Sequence, residues 1–301
     1  MNRYLRLAGS ILLIALFIWA VGRAEVIERL RSVAPVWIAA AVACLLAQTL
    51  AMALRWRLVA RCLGMEFSAG WAVREYFLSQ LANTTLPGGV VGDGARAVRS
   101  RIGQNGLRRA GQAVIFERAL GQAGMLAVAL AGLISVLLVP GAIAWPVGRW
   151  SALAIIIVAA LVVAAFALRG SRIAGFVAQC LPSAKVRVAH AALSVGAALL
   201  NVAAFAACAR ATGVALPLGA SLLLIPMILL AMVIPLTVAG WGWREGAAAA
   251  LFPIAGASPA AGVAAGIAFG LAMLISVLPA LALLLTSPGP GVRDIELADR
   301  R

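Results

Sequence analysis

The stretch from Leu86 to Arg99 reads LPGGVVGDGARAVR and interrupts a sequence that is otherwise mostly apolar. Proline and glycine disfavour helix interiors, and charged residues are costly inside a lipid bilayer. This stretch therefore combines a break in a helix with charges at the break. Whether it is a surface loop or a functional site depends on the segments around it.

The composition is that of an integral membrane protein. The 301 residues are 64% hydrophobic and 12% charged, whereas soluble domains are roughly one half apolar and one quarter charged. Long apolar runs satisfy their backbone hydrogen bonds in lipid as helices, and the alternating segments typical of a barrel are not seen in the sequence. We therefore predict an all-α, polytopic helical membrane protein.

Six apolar segments are long enough to span a bilayer. They are residues 5–21, 35–54, 110–139, 149–168, 187–210 and 259–286. Two odd segments, 70–86 and 217–238, are semi-polar or interrupted by proline, and we predict that each forms a re-entrant or broken-helix hairpin. Residues 171–182 have the pattern of an interfacial amphipathic helix. Residues 1–286 are expected to form a single transmembrane domain, and residues 287–301 a polar tail.

The net charge of +15 comes from 25 Lys and Arg against 10 Asp and Glu. The basic residues lie mostly between apolar runs, and no nucleic-acid-binding module is visible, so they indicate topology and contact with anionic lipid. When the N-terminus is placed inside, and each odd segment is a hairpin that enters and leaves by one face, most arginines fall on the inner side. We therefore expect a multi-pass protein of the bacterial cytoplasmic (inner) membrane, with both termini cytoplasmic.

The two odd segments end in a shared pattern. Residues 87–96 align without gaps to residues 235–244 as P-x-x-V-x-G-x-G-x-R, with five of ten positions identical. Paired segments interrupted by Gly or Pro in two halves of a chain indicate the binding site of a transporter. Because the hairpins open to opposite sides, we predict an inverted repeat with helix breaks at Pro87 and Pro235. Chance similarity in a glycine-rich chain is the alternative.

Six charged residues are predicted to lie at membrane depth, where charges must pair or line a wet cavity. They are Asp93, Arg96, Glu117, Arg118, Arg244 and Glu245. We expect Arg96 and Arg244 to bind a lipid head group, together with the free N–H groups of a following short helix. Each arginine follows a Gly-x-Gly that allows close backbone approach. These glycines are Gly92, Gly94, Gly240 and Gly242.

The remaining charges, Asp93, Glu117, Arg118 and Glu245, are predicted to be supporting charges of this site. A purely structural role through internal pairing is the alternative for Glu117 and Arg118. Asp93 is also a candidate for the N-cap of the helix after the break. The sequence has no Walker A loop, and a single histidine excludes a histidine cluster for a metal. We therefore predict no cofactor, no metal site and no catalytic residue.

These motifs, taken together, resemble one known family. The chain has Asn83-x-x-x-Pro87-Gly-Gly, then Gly92-Asp93-x-x-Arg96, then Glu117-Arg118, and finally Pro235…Gly240-x-Gly242-x-Arg244-Glu245. This order resembles the lysylphosphatidylglycerol synthase transmembrane family, a flippase-like domain that also occurs as a stand-alone protein. The resemblance covers nearly the whole chain and implies lipid translocation. The sequence lacks a counterpart of the soluble aminoacyl-transferase domain, so we expect the stand-alone form.

We expect a non-enzymatic translocator that moves an anionic lipid, such as phosphatidylglycerol or a lipid-linked intermediate of the polyprenyl-phosphate type, between leaflets. Two alternatives stay open. One is a lipid-binding scaffold or subunit of a lipid or glycan biosynthesis enzyme, and the other is a membrane-embedded transferase with Glu117 or Asp93 as its base. The expected partner is therefore a membrane lipid, with a biosynthetic enzyme as a second candidate and no nucleic acid. The oligomeric state is left open.

Overall fold

The computed structural model describes residues 3–86, 89–101, 106–139, 171–233 and 237–285. The regular secondary structure of these residues is entirely helical, which confirms the all-α prediction. The helices are α1 (Arg3–Val21), α2 (Arg23–Arg31), α3 (Pro35–Cys62), α4 (Ala69–Thr85), α5 (Val91–Arg99), α6 (Gly106–Leu138), α7 (Ser171–Cys180), α8 (Ala184–Ala211), α9 (Leu218–Leu230), α10 (Trp243–Leu251), α11 (Pro259–Ser276) and α12 (Pro279–Leu285). Short 3₁₀ segments, Ala231–Val233 and Phe252–Ala255, follow α9 and α10.

In the described part of the chain, four helical segments are long and apolar enough to cross a membrane. They are Pro35–Cys62, Gly106–Leu138, Ala184–Ala211 and Pro259–Leu285. Their mean hydropathy lies between 1.9 and 2.5, so the prediction of a polytopic membrane protein is confirmed. Helix α1 has a shorter apolar part, Leu12–Val21. The span predicted at 149–168 and the polar tail predicted at 287–301 lie outside the described residues.

Local sequence explains where the long helices begin and end. The hydroxyls of Ser183 and Ser258 accept a hydrogen bond from the amide of the third residue of α8 and α11, as N-caps do. Helices α3 and α8 both end just before a glycine with positive φ, Gly64 and Gly213, which is the usual left-handed helix end. These helix ends are therefore set by residues that start or stop a helix and not by a loss of hydrophobicity.

The segment predicted as a span at 259–286 agrees with the span-length segment Pro259–Leu285, and it contains an interruption that was not predicted. Helix α11 ends at Ser276, and α12 begins at Pro279. Proline has no backbone N–H and disfavours the helical conformation of the residue before it, here Leu278. The amphipathic segment predicted at 171–182 does form a helix, α7.

Helices α3 and α8 form the centre of the bundle and run antiparallel. At one end the amide of Ala34 donates to the carbonyl oxygen of Ala211, and further along the guanidinium of Arg55 donates to the hydroxyl of Ser194. Helices α6 and α11 pack against this pair. Arg55 is therefore held inside the bundle, between the two central helices.

The first odd segment forms a helical hairpin. Helix α4 ends at Thr85, the chain turns, and α5 runs back along α4. Asn83 lies opposite Gly92, Ser79 lies opposite Asp93, and a third contact further along the two helices continues this antiparallel order. Because α5 has only nine residues, it rises about 13 Å and is too short to cross a bilayer. The hairpin agrees with the predicted broken-helix shape, and its entry from one membrane face stays a prediction.

The second odd segment also folds back on itself, but the two copies of the pattern are not equivalent in structure. Met232, after α9, lies against Gly240 at the turn that leads into α10. The alignment pairs Val91, the first residue of α5, with Ala239, whereas α10 begins four residues later, at Trp243. The two breaks at Pro87 and Pro235 lie outside the described residues.

Candidate functional site

Five charged residues meet next to the first hairpin, and we call them the Arg96 cluster. They are Arg55, Asp93, Arg96, Glu117 and Arg118. They come from three elements: α3, the hairpin helix α5 and the long helix α6. All except Arg118 are buried, and Arg96 and Glu117 are completely inaccessible. The structure thus brings together the four charges predicted in the first half and adds Arg55.

Glu117 is the central acceptor of the Arg96 cluster. Its Oε1 atom accepts from Arg55, with Nη2 at 2.6 Å and Nε at 3.2 Å. The hydroxyl of Tyr76 donates to the same oxygen at 3.2 Å. The other oxygen, Oε2, lies 3.4 Å from Nη2 of Arg96. One carboxylate therefore holds α3, α4, α5 and α6 together.

Asp93 forms the outer part of the Arg96 cluster. Its Oδ1 atom accepts from Arg96 at 3.0 Å and from the hydroxyl of Ser79 at 3.1 Å, and its Oδ2 atom lies 2.5 Å from Nη2 of Arg118. Asp93 is not the N-cap of α5, because the N-cap is Val90, which has no side chain able to cap. Asp93 lies in the first helical turn instead, where its carboxylate pairs with arginines.

Arg96 has hydrogen-bonding capacity that the described residues do not use. Its guanidinium carbon lies 4.5 Å from the ring centroid of Trp56 and 4.3 Å from that of Tyr76, so two aromatic rings lie against it. Among the described residues, Nε and Nη1 of Arg96 and Nε1 of Trp56 are buried with no hydrogen-bond partner. Leaving a buried donor unpaired costs about 1–3 kcal/mol, and more for a charged group. Such donors are therefore suited to bind an anion.

The Arg96 cluster reaches the surface at one residue, Arg118. The Arg118 side chain is 45% exposed, whereas its partner Asp93 is 9% exposed. The Asp93–Arg118 ion pair therefore lies between the buried arginine and the surroundings. An anion that approaches Arg96 from this side would meet Arg118 first.

The two glycines of the first break have different structural roles. A Cβ atom on Gly92 would overlap the backbone of Ser79 in α4, so the close contact of α5 with α4 requires glycine there. The Gly92 amide donates to the side-chain oxygen of Asn83 at 2.8 Å, which fixes this crossing. A Cβ atom on Gly94 would meet open space. The predicted need for close approach is therefore found at Gly92 and not at Gly94.

The second predicted site, around Arg244, is a closed ion pair. Arg244 is fully buried, and Nη2 and Nε lie 2.5 Å and 3.1 Å from Oε1 of Glu245. The other Glu245 oxygen accepts from the amide of Gly242 at 2.6 Å. The ring centroid of Trp241 lies 4.8 Å from the Arg244 guanidinium. The amide of Gly242, at the start of α10, is therefore bonded to the chain's own carboxylate.

Gly240 and Gly242 allow the turn that precedes α10. Both have positive φ, 74° for Gly240 and 92° for Gly242, a conformation that other residues adopt only with strain. This turn places Glu245 over the amide of Gly242 and beside Arg244. The predicted glycines thus serve the geometry of the Arg244–Glu245 pair.

Comparison with known protein families assigns this chain to one family. The family described as the lysylphosphatidylglycerol synthase TM region matches residues 4–280. The chain belongs to this family. The matched range includes both hairpins, the Arg96 cluster and the Arg244–Glu245 pair. No curated protein and no solved structure matches the chain.

Sequence reasoning missed Arg55. The predicted span 35–54 ends directly before it, and Arg55 is not among the charges predicted at membrane depth. Helix α3 continues to Cys62, about two turns further, so Arg55 lies within the helix and is 2% exposed. Trp56 directly follows it and is fully buried.

His190 is a second buried polar group close to the Arg96 cluster. It lies one helical turn before Ser194, the residue that accepts from Arg55. Its side chain is buried, and within the described ranges neither ring nitrogen has a hydrogen-bond partner. No group of three or more His, Cys, Asp or Glu residues that could hold a metal occurs in those ranges.

Proposed function

We propose that this protein translocates an anionic lipid between the leaflets of the bacterial cytoplasmic membrane, with the lipid phosphate bound at Arg96. Phosphatidylglycerol and a polyprenyl-phosphate-linked intermediate are the two candidate lipid classes. The proposed activity is movement of the lipid and includes no catalytic step. Membership in a family named for a transmembrane region of a lipid synthase supports a lipid substrate.

The observation that carries the proposal is the pair of unpaired donor nitrogens, Nε and Nη1, of the Arg96 guanidinium. Arg96 shares Glu117 with Arg55 and shares Asp93 with Arg118, so the cluster has fewer carboxylates than arginines. Guanidinium N–H groups form strong, charge-assisted hydrogen bonds with phosphate oxygens. A phosphate oxygen bound at Nε or at Nη1 would satisfy an unpaired donor and add the missing negative charge.

Arg118 is proposed as the residue of first contact. It is the exposed member of the Arg96 cluster and is held only by the carboxylate of Asp93 among the described contacts. A phosphate competes with Asp93 for Arg118 and then for Arg96, which gives a stepwise path from the surface to the buried donors.

The second hairpin is proposed to act later in the same movement. Arg244, Gly240 and Gly242 can bind a head group only when Glu245 releases both the arginine and the Gly242 amide. The two hairpins would then provide head-group contacts that open to opposite leaflets, as the inverted-repeat prediction requires. Cytoplasmic positions for both termini belong to this proposal, since they set the direction in which each hairpin opens.

Lipid movement in proteoliposomes tests the proposal. A tail-labelled fluorescent phosphatidylglycerol and a membrane-impermeant quencher report exchange between leaflets in wild-type protein, Arg96→Gln and Arg108→Gln. Arg108 is an exposed arginine of α6 outside the Arg96 cluster, so Arg108→Gln is the matched control. We expect rapid exchange in wild type and Arg108→Gln and loss of exchange in Arg96→Gln, with folding verified by size exclusion. Exchange no faster than in empty liposomes, for phosphatidylglycerol and for polyprenyl phosphate, would reject the proposal.

A further inference from the structure

We propose that helix α1 is a lateral gate over the second hairpin, which swings away from α10 about Gly22 and thereby lets the Arg244–Glu245 pair open. In the closed state α1 lies between α10 and the surrounding lipid. This inference rests on the proposed function, because it names what controls the second of the two head-group contacts.

One face of α10 lies directly against α1. A Cβ atom on Gly242 would overlap the side chain of Leu13, and a Cβ atom on Gly246 would overlap the ring of Phe17. The two contacts follow the same order along both helices, so α1 and α10 run parallel. Glycine at these positions therefore lets the side chains of α1 reach the α10 backbone.

A second face of α10 lies against α11. A Cβ atom on Gly262 would overlap the backbone of Ala248, and a Cβ atom on Gly270 would overlap the guanidinium of Arg244. Arg244 is two residues, or about half a helical turn, before Gly246, so the α11 contact is on a different side of α10 from the α1 contact. Helix α10 is therefore enclosed between the two helices, and movement of α10 away from α11 requires α1 to move first.

The contacts of α1 are apolar, so lipid can replace them. Apart from the indole of Trp19, which is 77% exposed, the side chains of Leu12–Val21 carry no polar group. Leu12 and Leu16 are also exposed, which gives α1 a side that faces lipid. Apolar helices in a bilayer associate by van der Waals packing and not by a hydrophobic driving force, because lipid tails are equally apolar. Outward movement of this segment therefore exchanges one apolar contact for another.

Helix α2, which follows α1, is fixed to the bundle by polar bonds. Glu25 accepts a hydrogen bond from the hydroxyl of Ser258 at the start of α11, and Arg29 donates to the carbonyl oxygen of Thr212 at the end of α8 at 3.1 Å. Val26 of α2 is completely buried. Helix α2 therefore stays in place when α1 moves.

Gly22 is the single residue between α1 and α2, and it provides the hinge. Its φ is 98°, a conformation that favours glycine, whereas a Cβ atom at this position would meet open space. Glycine is therefore required here by the backbone and not by packing. Hinges are residues at the ends of elements that absorb changes in φ and ψ, and Gly22 joins a fixed helix to a helix whose described side-chain contacts are apolar.

Cross-linking tests the gate directly. In a protein whose four native cysteines are replaced by alanine, Phe17→Cys and Gly246→Cys are joined by a short, reducible bis-methanethiosulfonate reagent, which ties α1 to α10. Exchange of fluorescent phosphatidylglycerol between leaflets is measured before cross-linking, after cross-linking and after reduction. We expect cross-linking to slow exchange at least about tenfold and reduction to restore it.

Glu25→Cys/Ser258→Cys is the matched control. The two native side chains are hydrogen-bonded, so the same reagent ties α2 to α11 on the other side of Gly22. Because α2 is already fixed there, this cross-link should leave exchange unchanged. Equal exchange before and after the α1–α10 cross-link, or equal slowing by both cross-links, would overturn the inference.

Spin-label distances test the movement without an assay of lipid exchange. In the same cysteine-free protein, labels are attached at Leu16→Cys of α1 and Leu271→Cys of α11, positions that are both 50% exposed, and double electron–electron resonance is recorded in lipid nanodiscs. Gly246→Leu places a side chain where the Phe17 ring lies, so we expect a longer separation of the labels. Gly246→Leu/Phe17→Ala relieves the overlap and should return the separation to its original value. The same distances in all three proteins, or a long distance that persists in the double variant, would contradict the hinge movement.

The two experiments distinguish failure of the gate from failure of the proposed function. If the cysteine-free protein exchanges lipid and the α1–α10 cross-link has no effect, the gate is refuted and translocation stands. If no variant exchanges lipid, translocation is refuted, and the label distances still decide whether α1 moves about Gly22.

Discussion

The ion pair between Arg55 and Glu117 offers a quantitative test of how the bundle is held together. Replacing Glu117 with leucine leaves Arg55 and Arg96 buried without their shared carboxylate. Removing one partner of a buried pair costs about 3–5 kcal/mol. Arg55→Met leaves Glu117 with Arg96 and Tyr76 as partners, so we expect it to cost less than Glu117→Leu.

The double variant Arg55→Met/Glu117→Leu should be more stable than the sum of the two single effects. It removes both charges, returns the cluster to one net positive charge, and places apolar side chains where the ions lay, a replacement that is often neutral in stability. We expect a coupling free energy of at least about 2 kcal/mol. The free energy of unfolding is measured by titrating sodium dodecyl sulfate into mixed micelles and following helical circular dichroism.

A second cycle serves as the control for this coupling. Arg55→Met is combined with Glu25→Gln, since Glu25 bonds to Arg29 and Ser258 and not to the cluster. These two changes should be additive within about 0.5 kcal/mol. Additivity in the Arg55/Glu117 cycle as well would show that the two residues do not stabilise each other, and the reasoning about the cluster would be wrong.

Three further changes test other parts of the structure. Gly92→Ala should destabilise the protein by about 1–3 kcal/mol, because the new Cβ overlaps the α4 backbone. Gly94→Ala should be neutral or should stabilise the protein by up to about 1 kcal/mol. Equal effects of the two changes in thermal unfolding would contradict the close crossing of α5 and α4. His190→Leu should raise the free energy of unfolding by about 1–3 kcal/mol, because it removes buried ring nitrogens that lack hydrogen-bond partners within the described residues. A lower free energy of unfolding in this variant would mean that the histidine forms a hydrogen bond. Hydrogen bonds from Ser258 and then Arg29 lower the pKa of Glu25 below its ordinary 4.5. This stabilisation is present above pH 4.5 and is lost as the pH falls through the folded-state pKa, so the melting temperature of wild type should fall more steeply with acid than that of Glu25→Gln.

The fold class could be predicted because it depends on composition and on the length of apolar runs. The start of α3 at Pro35 and the break after Thr85 agree with the predicted segments. The interruption of the last span at Leu278 could not be obtained from hydropathy, because the sequence stays apolar through the break. There the missing N–H of Pro279 outweighs the hydrophobic pattern.

The candidate site could be predicted only in part. The pattern around the first break identified Asp93 and Arg96. Glu117 and Arg118 were identified because charges at membrane depth must pair or line a wet cavity. Arg55 was missed because its burial depends on where α3 ends and on the packing of α8 against it, and both are tertiary properties. The pairing of Arg244 with Glu245 can be expected because the two residues are adjacent in the sequence. The hydrogen bond from the Gly242 amide to Glu245 could not be expected, because it depends on the geometry of the turn.

The central claim is that a lipid phosphate binds an unpaired donor nitrogen of Arg96, and solid-state nuclear magnetic resonance tests this contact directly. Protein labelled with ¹⁵N at arginine side chains is reconstituted in phosphatidylglycerol, and the dipolar coupling between guanidinium ¹⁵N and lipid ³¹P is measured in wild type and in Arg96→Lys. The account predicts a coupling that corresponds to a separation of about 4 Å, as a hydrogen-bonded phosphate requires. This coupling should be missing in Arg96→Lys and kept in Arg108→Gln. An identical set of couplings in wild type and Arg96→Lys would contradict the account.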